Sequence, residues 1–306
     1  MMKSASAHYF RENRVHRTRG DVIFSGVAYT ITALLTIVVL LPMIYVVSAS
    51  FSTGAAVTAG QVWLWPVDFT LYNYQAVLRY KTVWIGYRNT ILYTVVGTAI
   101  NIAVTMACAY PLARRNLVGR NFFTKLFTFT MIFSGGMIPG YLLMRDLHLM
   151  NTVWVMLIPG AMSAYNMIVA RTFIQSTISE ELLEASKIDG CSDTQFFFRI
   201  LLPLSKAILA VLGIYYAVGH WNSYFNAFLY LNDRELYPLQ IFLRQILIQN
   251  NMDTDLMDED MLAQIQNLQE VLKYSIIVIS TAPLMFFYPF VQKYFVKGVM
   301  IGSVKG

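Results

Sequence analysis

Charge is what this sequence has least of. Asp, Glu, Lys and Arg make up 13% of its 306 residues and hydrophobic residues 57%, whereas soluble domains carry about 25% charged residues. A water-soluble globular domain is therefore excluded. No charged residue lies near the middle of any long apolar run. Ionisable groups inside a membrane form the pathways of ion- and proton-coupled carriers, so their absence disfavours a self-sufficient carrier. The two cysteines, Cys108 and Cys191, are far apart in the chain, and no Cys/His cluster marks a metal site. No G-x-x-x-x-G-K-[ST] phosphate loop occurs, so the chain does not hydrolyse ATP alone. No nucleophile–base constellation points to an enzyme. No long internal repeat is evident.

Six apolar runs stand out, near 22–47, 89–110, 123–144, 153–174, 207–229 and 272–294. Each is close to the roughly 20 residues that a membrane-crossing helix needs. The expected fold is an all-α membrane protein of six transmembrane helices. Residues 1–21 form an N-terminal segment, 22–294 the membrane domain and 295–306 a C-terminal tail. The first run is too long for a signal-peptide core and no clear cleavage site follows it, so it is expected to be a retained helix.

The net charge of +6 is placed unevenly. Arg11, Arg14, Arg17 and Arg19 precede the first run, Arg114, Arg115, Arg120 and Lys125 lie between the second and third, and Lys293, Lys297 and Lys305 follow the last. The alternate loops are poorer in Lys and Arg, and 253–260 is strongly acidic. The positive-inside rule puts both termini and the loop 175–206 in the cytoplasm. Because the basic residues are divided among separate loops, they read as topology signals rather than a nucleic-acid surface.

That loop is the most patterned part of the chain. Ser179 is placed to N-cap a short helix with Glu180 and Glu181 in its first turn. Leu182, Leu183 and Ile188 give it an apolar side, and Gly190 suits a left-handed C′ position. Ser192 and Gln195 have capping-box spacing for a second helix, and Pro203 interrupts helical bonding before the next span. Small residues at 185 and 186 would let a partner approach closely.

Two other features bear on function. Tyr215, Gly219, Asn222 and Asn226 recur at helical spacing in the fifth run, with Tyr216, His220, Ser223 and Ala227 as the adjacent stripe. Amides and hydroxyls beside Trp221 and Tyr224 suit a sugar, and they equally suit interhelical hydrogen bonds and an interfacial aromatic belt. His220 reads as a hydrogen-bonding group rather than a proton carrier. Gly135, Gly136, Pro139 and Gly140 interrupt the third run, and Pro159 and Gly160 the fourth. Such breakers serve kinks, close packing or gating.

The loop resembles the "EAA" loop of permease subunits of binding-protein-dependent ABC importers. Glu184, Ala185, Ser186, Gly190, Ile200, Leu202 and Pro203 fill the pattern in register, with Ser186 in place of an alanine. Ser50-Phe51-Ser52, Asn89-Thr90, Ala109-Tyr110-Pro111-Leu112, Asn151-Thr152 and the tail residues Gly302, Ser303, Val304, Lys305 and Gly306 are similar to the carbohydrate branch, of MalG-like and more narrowly LplC/YtcP type. His148 stands where relatives commonly have glycine.

The resemblance implies a MetI-like permease fold in a bacterial cytoplasmic (inner) membrane. It implies a coupling loop over 179–203, with Glu184, Ala185, Ser186, Asp189, Gly190, Ile200, Leu202 and Pro203 transmitting ATPase closure. The implied partners are a second homologous permease subunit, two ATPase subunits that bind ATP and Mg, an extracytoplasmic solute-binding protein and the surrounding lipid. The chain itself needs no cofactor. An oligosaccharide is the implied substrate, with another small solute such as glycerol phosphate as the alternative. The candidate substrate path is Tyr215, Gly219, His220, Asn222, Ser223 and Asn226.

Overall fold

The computed structural model describes residues 18–248, 271–286 and 288–289, and the described residues are helical, with no strand among them. α1 (Arg19–Ser50) opens on a capping box between Thr18 and Asp21. Its residues from Val22 to Ile44 stay largely uncovered, and only Ser48–Ser50 at its end are buried. Two short helices follow, α2 (Gly54–Thr58) and α3 (Tyr72–Arg79). The start of α3 and the chain before it are tied back to the end of α1. Asn73 Nδ2 donates to the carbonyls of Ser50 and Ser52 at 3.2 and 2.9 Å, and Val67 N–H donates to Ser52 Oγ at 3.0 Å.

α4 (Lys81–Ala113) is the central helix. The third run is not one straight helix. α5 (Arg120–Ile132) and α6 (Met137–Asp146) meet at 114°, with Gly136 at φ +86° between them. The fourth run is also broken, into α7 (Trp154–Leu157) and α8 (Ala164–Thr177), around Pro159 and a Gly160 at φ +77°. Gly135–Gly136 and Pro159–Gly160 thus lie where helices end outright, whereas Pro139 and Gly140 fall in the first turn of α6. Proline supplies no amide hydrogen, and a left-handed residue cannot continue a right-handed helix.

The loop 178–205 holds α9 (Glu180–Ile188) and α10 (Asp193–Leu204). α10 includes a π-turn over Phe197–Leu201. Pro203 has no amide to offer the carbonyl four residues back, and widening the turn accommodates that loss. At Ser205 the chain turns through 81° into α11 (Lys206–Trp221). α12 (Phe225–Tyr230), α13 (Leu239–Ile248) and α14 (Val271–Phe286) complete the described chain.

Among these, two helices are long and apolar enough to cross a membrane unaided, or up to four when each bent pair counts as one span. The described helices thus give fewer unbroken membrane-length segments than the six transmembrane helices expected. The third, fourth and fifth apolar runs are each divided between helices, and 287 and 290–294 of the sixth run lie outside the described residues.

Packing around α4 includes two large apolar cores and a smaller one in which Val83 meets Val77, Leu239, Ile276 and Ile279. Of the large cores, one joins Met106, Ala109 and Leu112 to Met167, Ala170 and Ile174 of α8, Phe196 and Leu201 of α10, and Ile208 and Leu212 of α11. The other joins Tyr93 to Met144, Val155–Leu157, Ala227, Tyr230, Leu231 and Ile241. The loop 231–239 is stapled to the start of α4. Asn89 Nδ2 donates to the carbonyls of Glu235 (2.7 Å) and Tyr237 (3.0 Å), Tyr93 Oη donates to Leu236 O (2.8 Å), and Leu239 N–H donates to Thr90 Oγ1 (2.9 Å). Asn151 Oδ1 accepts from Asn232 and Asp233 N–H. The Asn89-Thr90 and Asn151-Thr152 pairs are therefore loop anchors. Each leaves few backbone groups unpaired at the end of an apolar bundle, where water is scarce.

Candidate functional site

The loop between α8 and α11 is built by local rules. Ser179 Oγ accepts from Leu182 N–H at 3.3 Å, so the first turn of α9 is capped as its sequence implies. At the other end Asp189 is the C-cap and Gly190, at φ +79°, the C′ residue. Gly190 N–H donates to Lys187 O at 3.0 Å and Cys191 N–H to Ser186 O at 2.9 Å. That pair of bonds is a Schellman motif. Ser192 and Gln195 then cap α10 reciprocally, at 3.1 and 3.3 Å. Residues 189–192 thus join the two helices by a turn closed at both ends by hydrogen bonds.

One side of α9 holds it to the bundle and the other is uncovered. Leu183 packs against the core that includes Phe196 and Leu201. Ser186 is buried, its hydroxyl donating to Leu183 O at 2.7 Å. Its small size therefore serves packing within the chain, which corrects the expectation that both 185 and 186 open the helix to a partner. Ala185 is exposed, as are Glu181, Leu182, Glu184, Asp189, Gly190 and Ile188, the last at 86%. Ile200 and Leu202 are half-buried and Pro203 is exposed.

Cations just past the end of α4 fix the loop. Arg114 pairs with Asp193 at 2.8 Å and Arg115 with Glu180 at 3.2 Å, while Lys187 lies 4.0 Å from Asp193. The Arg114 guanidinium beside it holds the Asp193 carboxyl below the usual carboxylate range. Arg114 also sits 4.8 Å over the Tyr110 ring, which stacks on Phe196 at 6.1 Å. A cavity of about 940 Å³ lies between α9 and the ends of α4 and α8, and its lining includes Arg115, Arg120, Glu181, Glu184 and Lys187. Sequence reading took Arg114 only as a topology signal. Its role depends on a partner 79 positions away, which no local pattern discloses. Chemically this is a rigid, capped helix with a mixed apolar and acidic outer face. It is suited to docking and offers no reacting group.

Comparison with known proteins decides what such a loop belongs to. Residues 6–301 match the family described as "Binding-protein-dependent transport system inner membrane component". The chain belongs to this family.

The permease is 39% identical over 292 residues to Protein LplC of Bacillus subtilis, covering 95% of this chain and 98% of that one. It is 38% identical to the polygalacturonan/rhamnogalacturonan transport system permease protein YtcP of the same organism, covering 93% and 99%. It superimposes with a TM-score of 0.83, at 38% identity, on a chain of a bacterial ABC transporter involved in the import of the acidic polysaccharide alginate, covering 91% of this chain and 98% of that one. The fold is thus the all-helical MetI-like permease fold. The chain is a membrane transport permease rather than an enzyme.

On α11 the permease separates the two expected stripes. Tyr215, Gly219 and Asn222 are exposed. Tyr216 is buried and His220 is turned to α4, with Nε2 2.6 Å from Asn101 Oδ1. The stripe does not run on as one helix. α11 ends at Trp221, and Asn222 is its C-cap, with its side-chain amide donating to Val218 O at 3.0 Å. Local side-chain bonds of this kind compete with helix continuation. Ser223 and Asn226, both half-buried, therefore belong to the turn and to α12. The tail residues Gly302–Gly306 lie outside the described residues. Among the described residues no group of three or more His, Cys, Asp or Glu could hold a metal ion.

Proposed function

We propose that this chain is one permease subunit of an importer for acidic oligosaccharides. It couples the closure of cytoplasmic ATPases to alternating access of a path through the membrane. The observation that carries this reading is the uncovered face of α9, held in place by caps and ion pairs yet presenting Glu184, Ala185 and Ile188 outward. Ile188, 86% exposed, adds apolar surface to this acidic face, which a docked ATPase would cover.

In this reading 179–203 is the cytoplasmic coupling loop of a six-span domain over 22–294, both termini are cytoplasmic, and two ATPase subunits supply ATP and Mg binding. The long uncovered apolar side of α1 fits against a second, homologous permease subunit and lipid. Tyr215, Gly219 and Asn222 face the shared path, and a solute-binding protein delivers the sugar to the opposite side. YtcP is named for polygalacturonan and rhamnogalacturonan, and the structural relative belongs to an alginate importer. These names support a uronate-containing substrate.

Proteoliposomes with both permeases, the ATPases and the binding protein test the proposal. Uptake of galacturonate or alginate oligomers that needs ATP and the binding protein is expected. Uptake of those oligomers by this chain alone, or by the assembly without ATP, would refute the coupled-importer reading.

A further inference from the structure

Where the two larger apolar cores meet, polar groups are inserted between helices, at the level where the fourth run is broken. On α4, Asn101 and Thr105 fall between Tyr93 of one core and Met106 of the other, and both are buried. On α11, Tyr216 is the last member of the first core, its hydroxyl at that core's edge, and His220 follows it before Ala227 of the second. Gly160 and Ser163 lie in the break between α7, which packs in one core, and α8, which packs in the other.

These residues form two bridges. Asn101 Nδ2 donates to Gly160 O at 2.9 Å, which leaves Oδ1 to accept from His220 Nε2–H at 2.6 Å. The Tyr216 hydroxyl accepts from Ser163 N–H at 3.2 Å and shares a 2.7 Å bond with Thr105 Oγ1. Each bridge spans α4, α11 and the break. Two backbone groups that lost their helical partners at Pro159–Gly160 are satisfied by side chains of the neighbouring helices. A broken helix inside a membrane is tolerated only when its freed groups are paired in this way. Gly97 makes room for the arrangement, since a Cβ there would fall 2.5 Å from His220 Cε1 and Nε2.

We propose that these polar groups are the hinge of transport, and that Asn101 and Tyr216 are its positioning residues. The core containing Phe196 and Leu201 is continuous with α9 and α10, so a displacement of the coupling loop moves it as a body. The core containing Tyr93 is stapled to the loop 231–239. Apolar packing of matched side chains resists sliding inside either core. Hydrogen bonds exchanged at a break are the place where one core can turn on the other. Asn101 and Tyr216 make α11 and the fourth span turn together, so that closure below opens or shuts the path above. This inference rests on the importer reading.

The test uses the whole assembly, measuring uptake and ATP hydrolysis together for Asn101→Leu and Tyr216→Phe. Tyr216→Phe keeps the ring and removes only the hydroxyl. Both variants are expected to retain binding-protein-stimulated hydrolysis while uptake per ATP falls about tenfold, the equilibrium factor matching roughly 1.4 kcal/mol. A merely structural role would lower hydrolysis and uptake together. An unchanged ratio of uptake to hydrolysis in both variants overturns the hinge and leaves the importer reading intact. A wild-type assembly whose ATP hydrolysis ignores the binding protein overturns both.

Discussion

Replacing Gly190 isolates the backbone of the docking loop from its side chains. The residue is the C′ position of a Schellman turn at φ +79°, and no heavy atom lies within 4 Å of where a Cβ would stand. Steric contact with the rest of the chain therefore contributes nothing, and the cost of substitution is the left-handed backbone alone. For an alanine that cost is about 1–2 kcal/mol. Asparagine, which bonds locally in this region, should cost less, and a β-branched valine more. A penalty of one to two kcal/mol changes an opening equilibrium by roughly 5–30-fold. The amides that report it are those of Gly190 and Cys191, which donate the two turn-closing bonds. Hydrogen exchange on the assembled transporter should therefore accelerate at these amides in the order Asn, Ala, Val. Binding-protein-stimulated ATP hydrolysis should fall in the same order. If valine is tolerated as well as asparagine, the turn strain is not what the position controls. If all three abolish coupling equally while exchange is unchanged, an ATPase contact rather than φ has selected glycine.

Four further outcomes follow from particular contacts. Gly97→Ala should lower the thermal midpoint of the purified assembly through about 1–3 kcal/mol of overpacking against His220; the loss should largely disappear in a His220→Ala background, and equal losses in both backgrounds would contradict the geometry. His148 occupies a second Schellman turn, at φ +55° with its N–H on Arg145 O and that of Leu149 on Met144 O, so His148→Gly should raise the midpoint by relieving about 1 kcal/mol of left-handed strain. In a background lacking Cys108 and Cys191, a cysteine at Gln61 should react with an impermeant thiol reagent added outside and one at Glu181 should not; the reverse pattern inverts the topology. Asn222→Leu and Tyr215→Leu should slow oligosaccharide uptake with normal assembly, and unchanged uptake in both would assign the exposed stripe of α11 to packing.

How much could be read in advance differs between the two sites. At the docking loop, nearly every local feature was legible. The Ser179 cap, the Ser192–Gln195 box and the left-handed Gly190 each depend on residues within a few positions of one another. What closes that loop onto the bundle was not legible. Arg114 reaches Asp193 and Tyr110 reaches Phe196 only once α4 and α10 are packed together. The α11 stripe was half right. Helical spacing put Tyr216 and His220 on one face and Tyr215 and Gly219 on another, but nothing in the spacing showed that the helix would end at Trp221.

The sequence by itself determined that the chain lives in a membrane, that its third and fourth apolar runs break and how the docking loop is capped. These are matters of transfer free energy and of bonds between near neighbours. Only the tertiary structure decided that Asn101 and Thr105, two uncharged residues in an apolar run, would meet His220 and Tyr216 across more than a hundred positions. It also decided that they would do so at the level of the Gly160 break. A polar side chain in an apolar environment must find a partner, but which partner depends on how the helices are assembled around it.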